Sequence, residues 1–112
     1  MRARLNALLT TGPLGQEWIS DAPHLLVFCG NNRRQRLWHD WHGIPFANDH
    51  LDAFFNASVD AAIVLGAFVS AAELAGLGTC PISQVRDHIR TIDALLGLPD
   101  WVVPVAGLAG GY

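Results

Sequence analysis

Residues 49–84, DHLDAFFNASVDAAIVLGAFVSAAELAGLGTCPISQ, decide how the rest of the chain is read. Asn48 or Asp49 can cap a helix here, and Asp49 and Asp52 stand where a helix N-terminus favours negative charge. The predicted helix runs over 49–75, roughly 40 Å at 1.5 Å per residue. Asp52, Asn56 and Asp60 recur every four residues and form one polar stripe. Across 61–72 only Ser70 is polar, so the pattern predicts a helix buried on every side. Its small residues, among them Ala62, Gly66, Ala67 and Ser70, permit close approach of another helix or of its own symmetry mate. Gly76 or Gly78 can supply a left-handed C-cap. Residues 77–84 then read as a loop of small and polar residues ahead of a second helix. Its free amides and hydroxyls suit a flat polar heterocycle or its phosphate, and a plain helix–loop–helix connection has the same pattern.

The 112 residues suffice for one domain with a modest core. Charged residues make up only 15% and apolar residues 51%, a balance that leaves apolar surface exposed and points to an oligomer or a piece of something larger. The net charge of −3 argues against nucleic-acid binding, which needs a dense basic face. All the basic residues are arginine, three of them close together at Arg33, Arg34 and Arg36. Met1 is followed by no apolar signal region, and the longest apolar run, 61–69, is too short to span a bilayer. Cys29 and Cys80 form no disulfide framework and read as reduced, buried thiols of a cytoplasmic protein.

Around the central stretch, residues 1–9 predict a short helix with Leu5, Leu8 and Leu9 on one side, broken at Gly12 and Pro13. Residues 16–20 suit a single turn. The run 24–30, HLLVFCG, is apolar at consecutive positions, which predicts a strand covered on both faces. Asn31 and Asn32 can cap RRQRLWHDWH, which reads as a surface helix or a partly ordered segment. Residues 85–97 predict a helix presenting Val85, Ile89, Ile92 and Leu96, and 101–108, WVVPVAGL, a strand. Pro104 removes a ladder donor there, so it belongs at an edge or a bulge.

His39 and His42, three apart, raise the possibility of a metal site, but no further ligand is fixed, and solvated histidines among tryptophans explain them as well. Cys80 and His88 lack the surroundings of a nucleophile, and Asp52 with Asp60 reads as the polar side of a helix. Neither G-x-G-x-x-G nor a Walker sequence occurs. No side chain is assigned a catalytic role, and no metal is expected.

Four stretches in order carry a family resemblance: DAPHLLVFCG with NNRRQR, DAAIVLGAFVSAAELAGLGTCPIS, VRDHIRTIDALLGLPDW, and VVPVAGLAGGY. Together they resemble the FMN-dependent nitroreductase family, in its oxygen-insensitive NAD(P)H nitroreductase and flavin reductase branch. The resemblance implies an α+β sandwich with a long central helix, of which this chain matches the later part. It divides the chain into an N-terminal helix and linker, 1–20, and a partial nitroreductase-like domain, 21–112. It further implies FMN at a homodimer interface, with the 49–75 helix forming the dimer and Pro81, Ile82, Ser83 and Gln84 touching the flavin. Many relatives carry Gly-Gly where this chain has Ser83-Gln84, and the family's first-helix phosphate grip is not reproduced by MRARLN. The implied activity is electron transfer from NAD(P)H through FMN to a nitroaromatic, quinone or related acceptor, with no nucleic-acid or membrane partner. The alternative is a cofactor-free remnant that serves as a dimerisation or interaction module; a metal-binding module built on His39 and His42 is a third.

Overall fold

The computed structural model describes residues 1–112. In chain order it contains α1 (Arg2–Thr10), β1 (His24–Asn31), α2 (Arg33–Trp41), α3 (Leu51–Leu74), β2 (Gly78–Ile82), α4 (Ile89–Leu96) and β3 (Val102–Gly111). Short 3-10 turns lie at Glu17–Asp21 and Gln84–Arg86. The strands make one antiparallel sheet in the order β1-β3-β2, so the last strand in sequence sits in the middle.

Pro104 lies within this middle strand without breaking it. Phe28 of β1 faces Ala106 and Cys29 faces Pro104, which leaves Val105 as the extra residue of a bulge. On the other side β2 reaches only as far as Gly107, so no neighbour needs a donor from Pro104. The edge-or-bulge expectation holds.

One sheet face carries the core. Leu5 and Leu9 of α1, Ile19, Ile82, Val85 and Ile92 of α4 pack together, with Leu25 and Val27 of β1 against them. Gly107 makes this packing possible: a Cβ there would stand 2.6 Å from Ile82 Cγ1 and 3.1 Å from Val85 Cγ1. The opposite face receives α3, which lays Ala53, Ala57, Ala61 and Ala72 on the sheet as a buried alanine stripe. Contact is close enough that a Cβ on Gly30 would meet Ala57 O at 3.0 Å. Phe28 and Phe68 meet edge to face, ring centroids 5.8 Å apart.

Several expectations are corrected here. α3 is not buried on every side: outside the alanine stripe it is open, with Phe54, Phe55, Val59, Ile63, Val64 and Leu74 all more than half exposed. The all-round apolar pattern identifies surface suited to being covered, and within this chain the sheet covers only one side of it. At 24 residues, with a mean hydropathy of 1.6 in its most apolar eighteen-residue window, α3 is long and apolar enough to cross a membrane, although the apolar run 61–69 alone is too short. Its N-cap is His50 rather than Asn48 or Asp49: His50 Nδ1 accepts from the Asp52 amide at 3.2 Å. The helix ends at Leu74, one residue short of expectation, and Gly76 makes the left-handed turn at φ 82°. β1 is not covered on both faces, since His24 is exposed and Leu26 is 37% exposed. A single helix about 10 Å across cannot cover three strands spaced nearly 5 Å apart.

The loop read at 77–84 is largely strand, because Gly78–Ile82 pairs with Gly107–Gly111 of β3. The helix read over 85–97 starts only at Ile89, after the 3-10 turn, with Val85 and Ile92 fully buried and Ile89 39% exposed. The last strand begins at Val102 because Trp101 takes φ 68°, in the left-handed region. Cys80 is exposed rather than buried, Cys29 is half-buried, and both thiols are free.

Candidate functional site

The end of β2 runs through Ser83 into the 3-10 turn at Gln84–Arg86. Ile82 points into the core at 5% exposure, Ser83 is exposed, and Gln84 is again buried at 4%. Of the four residues singled out in sequence, Pro81 and Ser83 therefore face outward, while the side chains of Ile82 and Gln84 belong to the interior. The Ser83 carbonyl accepts from the Arg86 amide at 2.9 Å, closing the 3-10 turn, and the Ser83 N–H has no acceptor within the chain. The edge thus presents an unused main-chain donor beside exposed Pro81 and Ser83. Such an edge can meet an acceptor on a planar heterocycle without any charged side chain.

Surrounding bonds hold this edge in place. Arg86 Nη1 donates to Val105 O, the bulged residue of β3, at 2.6 Å. Thr79 Oγ1 donates to Glu73 Oε1 at 3.0 Å, fastening the start of β2 to the last turn of α3. Gln84 Nε2 donates to Leu14 O at 2.7 Å, bringing in a loop seventy positions away. No local pattern signals that contact, and reading the sequence missed it.

A second polar region surrounds α2. Arg36 donates from Nε to Asn32 Oδ1 at 2.7 Å and pairs through Nη2 with Asp49 Oδ1 at 2.6 Å. Its guanidinium lies against two rings, 3.6 Å from the centroid of Trp101 and 4.5 Å from that of Phe46. The hydrogen bond from Arg36 holds the Asp49 carboxyl below its ordinary range, with desolvation opposing and the charges of Arg36 and His50 assisting. A cavity of about 430 Å³ lined by Arg34, Trp38, His39, Phe46 and Asn48 opens alongside, and none of residues 81–84 lines it.

His39 and His42 both lie on α2, where His42 Nδ1 stands 2.8 Å from Trp38 O and His39 Nδ1 is buried without a partner. No group of three or more His, Cys, Asp or Glu side chains converges anywhere in the chain. The Cys29 thiol is pushed above its ordinary pKa by burial first and by the nearby Asp93 second, which keeps it protonated and a poor nucleophile. Asp52 accepts from Asn48 Nδ2 at 2.6 Å and from Asn56 Nδ2 at 3.0 Å, as expected of a helix polar stripe.

A three-stranded antiparallel sheet lined by small helices and crossed by one long apolar helix, with β2 ending in a free main-chain edge, defines an α+β protein. The nitroreductase family model matches residues 3–112, and the chain belongs to that family. It is similar to the FMN reductase (NAD(P)H) of Bacillus subtilis, 40% identical over 100 residues that cover 88% of this chain and 40% of the relative. It is also similar to the oxygen-insensitive NADPH nitroreductase of Salmonella typhimurium, 32% identical over 88% of this chain and 39% of that protein. Among solved structures, NfrA2 of B. megaterium superposes with a TM-score of 0.86 at 34% identity, covering 99% of this chain and 44% of its own. The chain spans about two-fifths of the length of the curated relatives it matches. The resemblance drawn from the four sequence stretches is correct, as is the nitroreductase-like α+β fold class.

Proposed function

We propose that this chain forms the flavin-contacting part of a cytoplasmic FMN-dependent oxidoreductase that passes electrons from NAD(P)H to a nitroaromatic, quinone or related acceptor. The observation that carries this reading is the edge at 81–84, where the Ser83 N–H has no partner in the chain and Pro81 and Ser83 are exposed. Flavins carry acceptor atoms along one edge of a flat ring system, and a main-chain donor at a strand end fits that chemistry. Ile82 and Gln84 take part through backbone, since their side chains are buried. Bound there, FMN would supply the two-electron chemistry, and the main chain at Ser83 would hold the ring edge. The names of the relatives, FMN reductase and NADPH nitroreductase, support the same assignment.

The same proposal makes the protein a homodimer through α3. The side of α3 opposite its alanine stripe carries Phe55, Val59, Ala62, Gly66 and Ser70 at helical spacing, all exposed. The larger side chains come first, at Phe55 and Val59, and the small ones follow at Ala62, Gly66 and Ser70, so an antiparallel second copy could set its large residues against the small ones. That surface favours a second reading as well, in which the chain associates through α3 and binds no cofactor.

Titrating the full chain with FMN separates the two readings. Flavin fluorescence that is quenched to saturation supports the first; a chain that takes up none of the added FMN sinks it. Light scattering at micromolar concentration tests the dimer, and a monomer there would contradict both readings.

A further inference from the structure

Gln84 is arranged in a way that core packing alone does not require. Its side chain is 4% exposed, and its Oε1 is buried with no partner. A buried unpaired amide oxygen costs stability, and an apolar side chain of similar shape would fill the same space without that cost. What the amide adds is one bond, from Nε2 to Leu14 O.

That bond falls on a compact loop. Gly15 N donates to Gly12 O and Gln16 N to Leu9 O, each at 3.0 Å, which folds residues 11–16 back onto the end of α1. The turn is tight enough that a Cβ on Gly15 would stand 2.3 Å from Thr10 O. The Leu14 side chain is 68% exposed and anchors nothing, so its carbonyl is where the loop is held from the far side. The holder is the residue next to Ser83.

We propose that Gln84 is a positioning residue, clamping residues 11–16 onto the end of β2 so that the loop and the Ser83 edge form one continuous wall of the flavin site. The wall rests on the reading that flavin lies at Ser83; the clamp does not. Because the clamp is kept at a cost in stability, positioning and stability separate on mutation.

The test uses the full chain with Gln84→Met, which keeps length and volume but removes both polar ends, and Gln84→Glu, which keeps the shape but cannot donate once ionised. Amide hydrogen exchange at Gly15 and Gln16 is measured without FMN, alongside the thermal midpoint and the dissociation constant for FMN. In Gln84→Met, exchange at these two amides rises roughly tenfold over wild type, the scale of one lost hydrogen bond, while the midpoint is unchanged or raised. The FMN dissociation constant rises by about the same factor. Unchanged exchange at Gly15 and Gln16 in both folded variants overturns the clamp. A lowered midpoint with unchanged FMN affinity makes Gln84 a plain structural strut and overturns its positioning role. If the wild-type chain binds no FMN, the flavin reading falls and the wall with it, and the exchange measurement still decides the clamp.

Discussion

Gly66→Ala tests the exposed side of α3 with a single methyl group. Gly66 sits in the interior of α3, opposite the alanine stripe, and a Cβ built there meets nothing within 4 Å. In the isolated chain the substitution therefore has one effect, replacing the poorest non-proline helix former with the best, which stabilises by about 1 kcal/mol. For a chain of this size that raises the thermal midpoint by about 4 °C. In a dimer packed through Phe55, Val59, Ala62, Gly66 and Ser70 the same methyl enters a close helix–helix contact, where overpacking costs about 1–3 kcal/mol. Association then weakens roughly tenfold or more. The two effects have opposite sign and are read separately: melting at high dilution reports the first, and light scattering or sedimentation across concentration reports the second. A variant that is stabilised at dilution but associates as tightly as wild type would remove Gly66 from the interface. One that is destabilised at dilution would refute the claim that this side of α3 is open.

Three further outcomes are expected. Gly107→Ala pushes a Cβ against the buried Ile82 and Val85 and lowers stability by about 1–3 kcal/mol, measured by urea unfolding, whereas Gly78→Ala, whose Cβ finds only Gly111 O at 3.5 Å, serves as the tolerated control in the same sheet. Ser83→Pro removes the free amide and raises the FMN dissociation constant about tenfold; Ser83→Ala keeps the amide and leaves it unchanged, and equal losses in both would show that the hydroxyl, not the backbone, makes the contact. Asp49→Asn alters the pH dependence of stability. The Asp49 carboxyl titrates below its ordinary range in the folded chain, so its contribution is present above the unfolded value and is lost as pH falls through the folded one. The wild type and Asp49→Asn curves of thermal midpoint against pH should therefore converge in acid, and parallel curves would show that the pair with Arg36 contributes nothing.

What was legible in the sequence depended on how far each signal reaches along the chain. α3 could be read because twenty-odd residues of apolar pattern, a polar stripe at 52, 56 and 60, and a glycine stop all agree locally. β3 could be read, with an edge or a bulge at Pro104, because a proline states where a ladder donor is absent, and the structure makes it a bulge. β2 was hidden: GTCPI has one β-branched residue before a proline and no alternation, and it becomes a strand only because β3, some thirty residues later, offers it a partner. The delayed start of α4 has a similar cause, since Val85 is drawn into the core by the 3-10 turn before the helix begins. Residues 81–84 were named from the family resemblance, and their orientation was not legible: Ile82 ends β2 and Gln84 opens the 3-10 turn, and both are buried, where an open loop would have left all four free. The buried-all-round expectation for α3 failed for another reason. Composition tells which surface must be covered and carries no information about which chain covers it.

That last point connects the helix to the site. Between Leu74 and Gly78 the chain has no slack: Gly76 N donates to Glu73 O and Leu77 N to Ala72 O, each at 3.0 Å, and Thr79 Oγ1 returns to Glu73 Oε1 at 3.0 Å. β2 is therefore fixed to the last turn of α3, and Ser83 lies one residue beyond the end of that five-residue strand. A second copy seated on the open side of α3 would orient the helix, and through this joint it would orient the edge proposed to hold the flavin. Cofactor affinity and self-association should then be linked, each strengthening the other by the same factor. Measuring dimerisation with and without FMN tests this, and a dimer constant indifferent to FMN would mean that the joint transmits nothing.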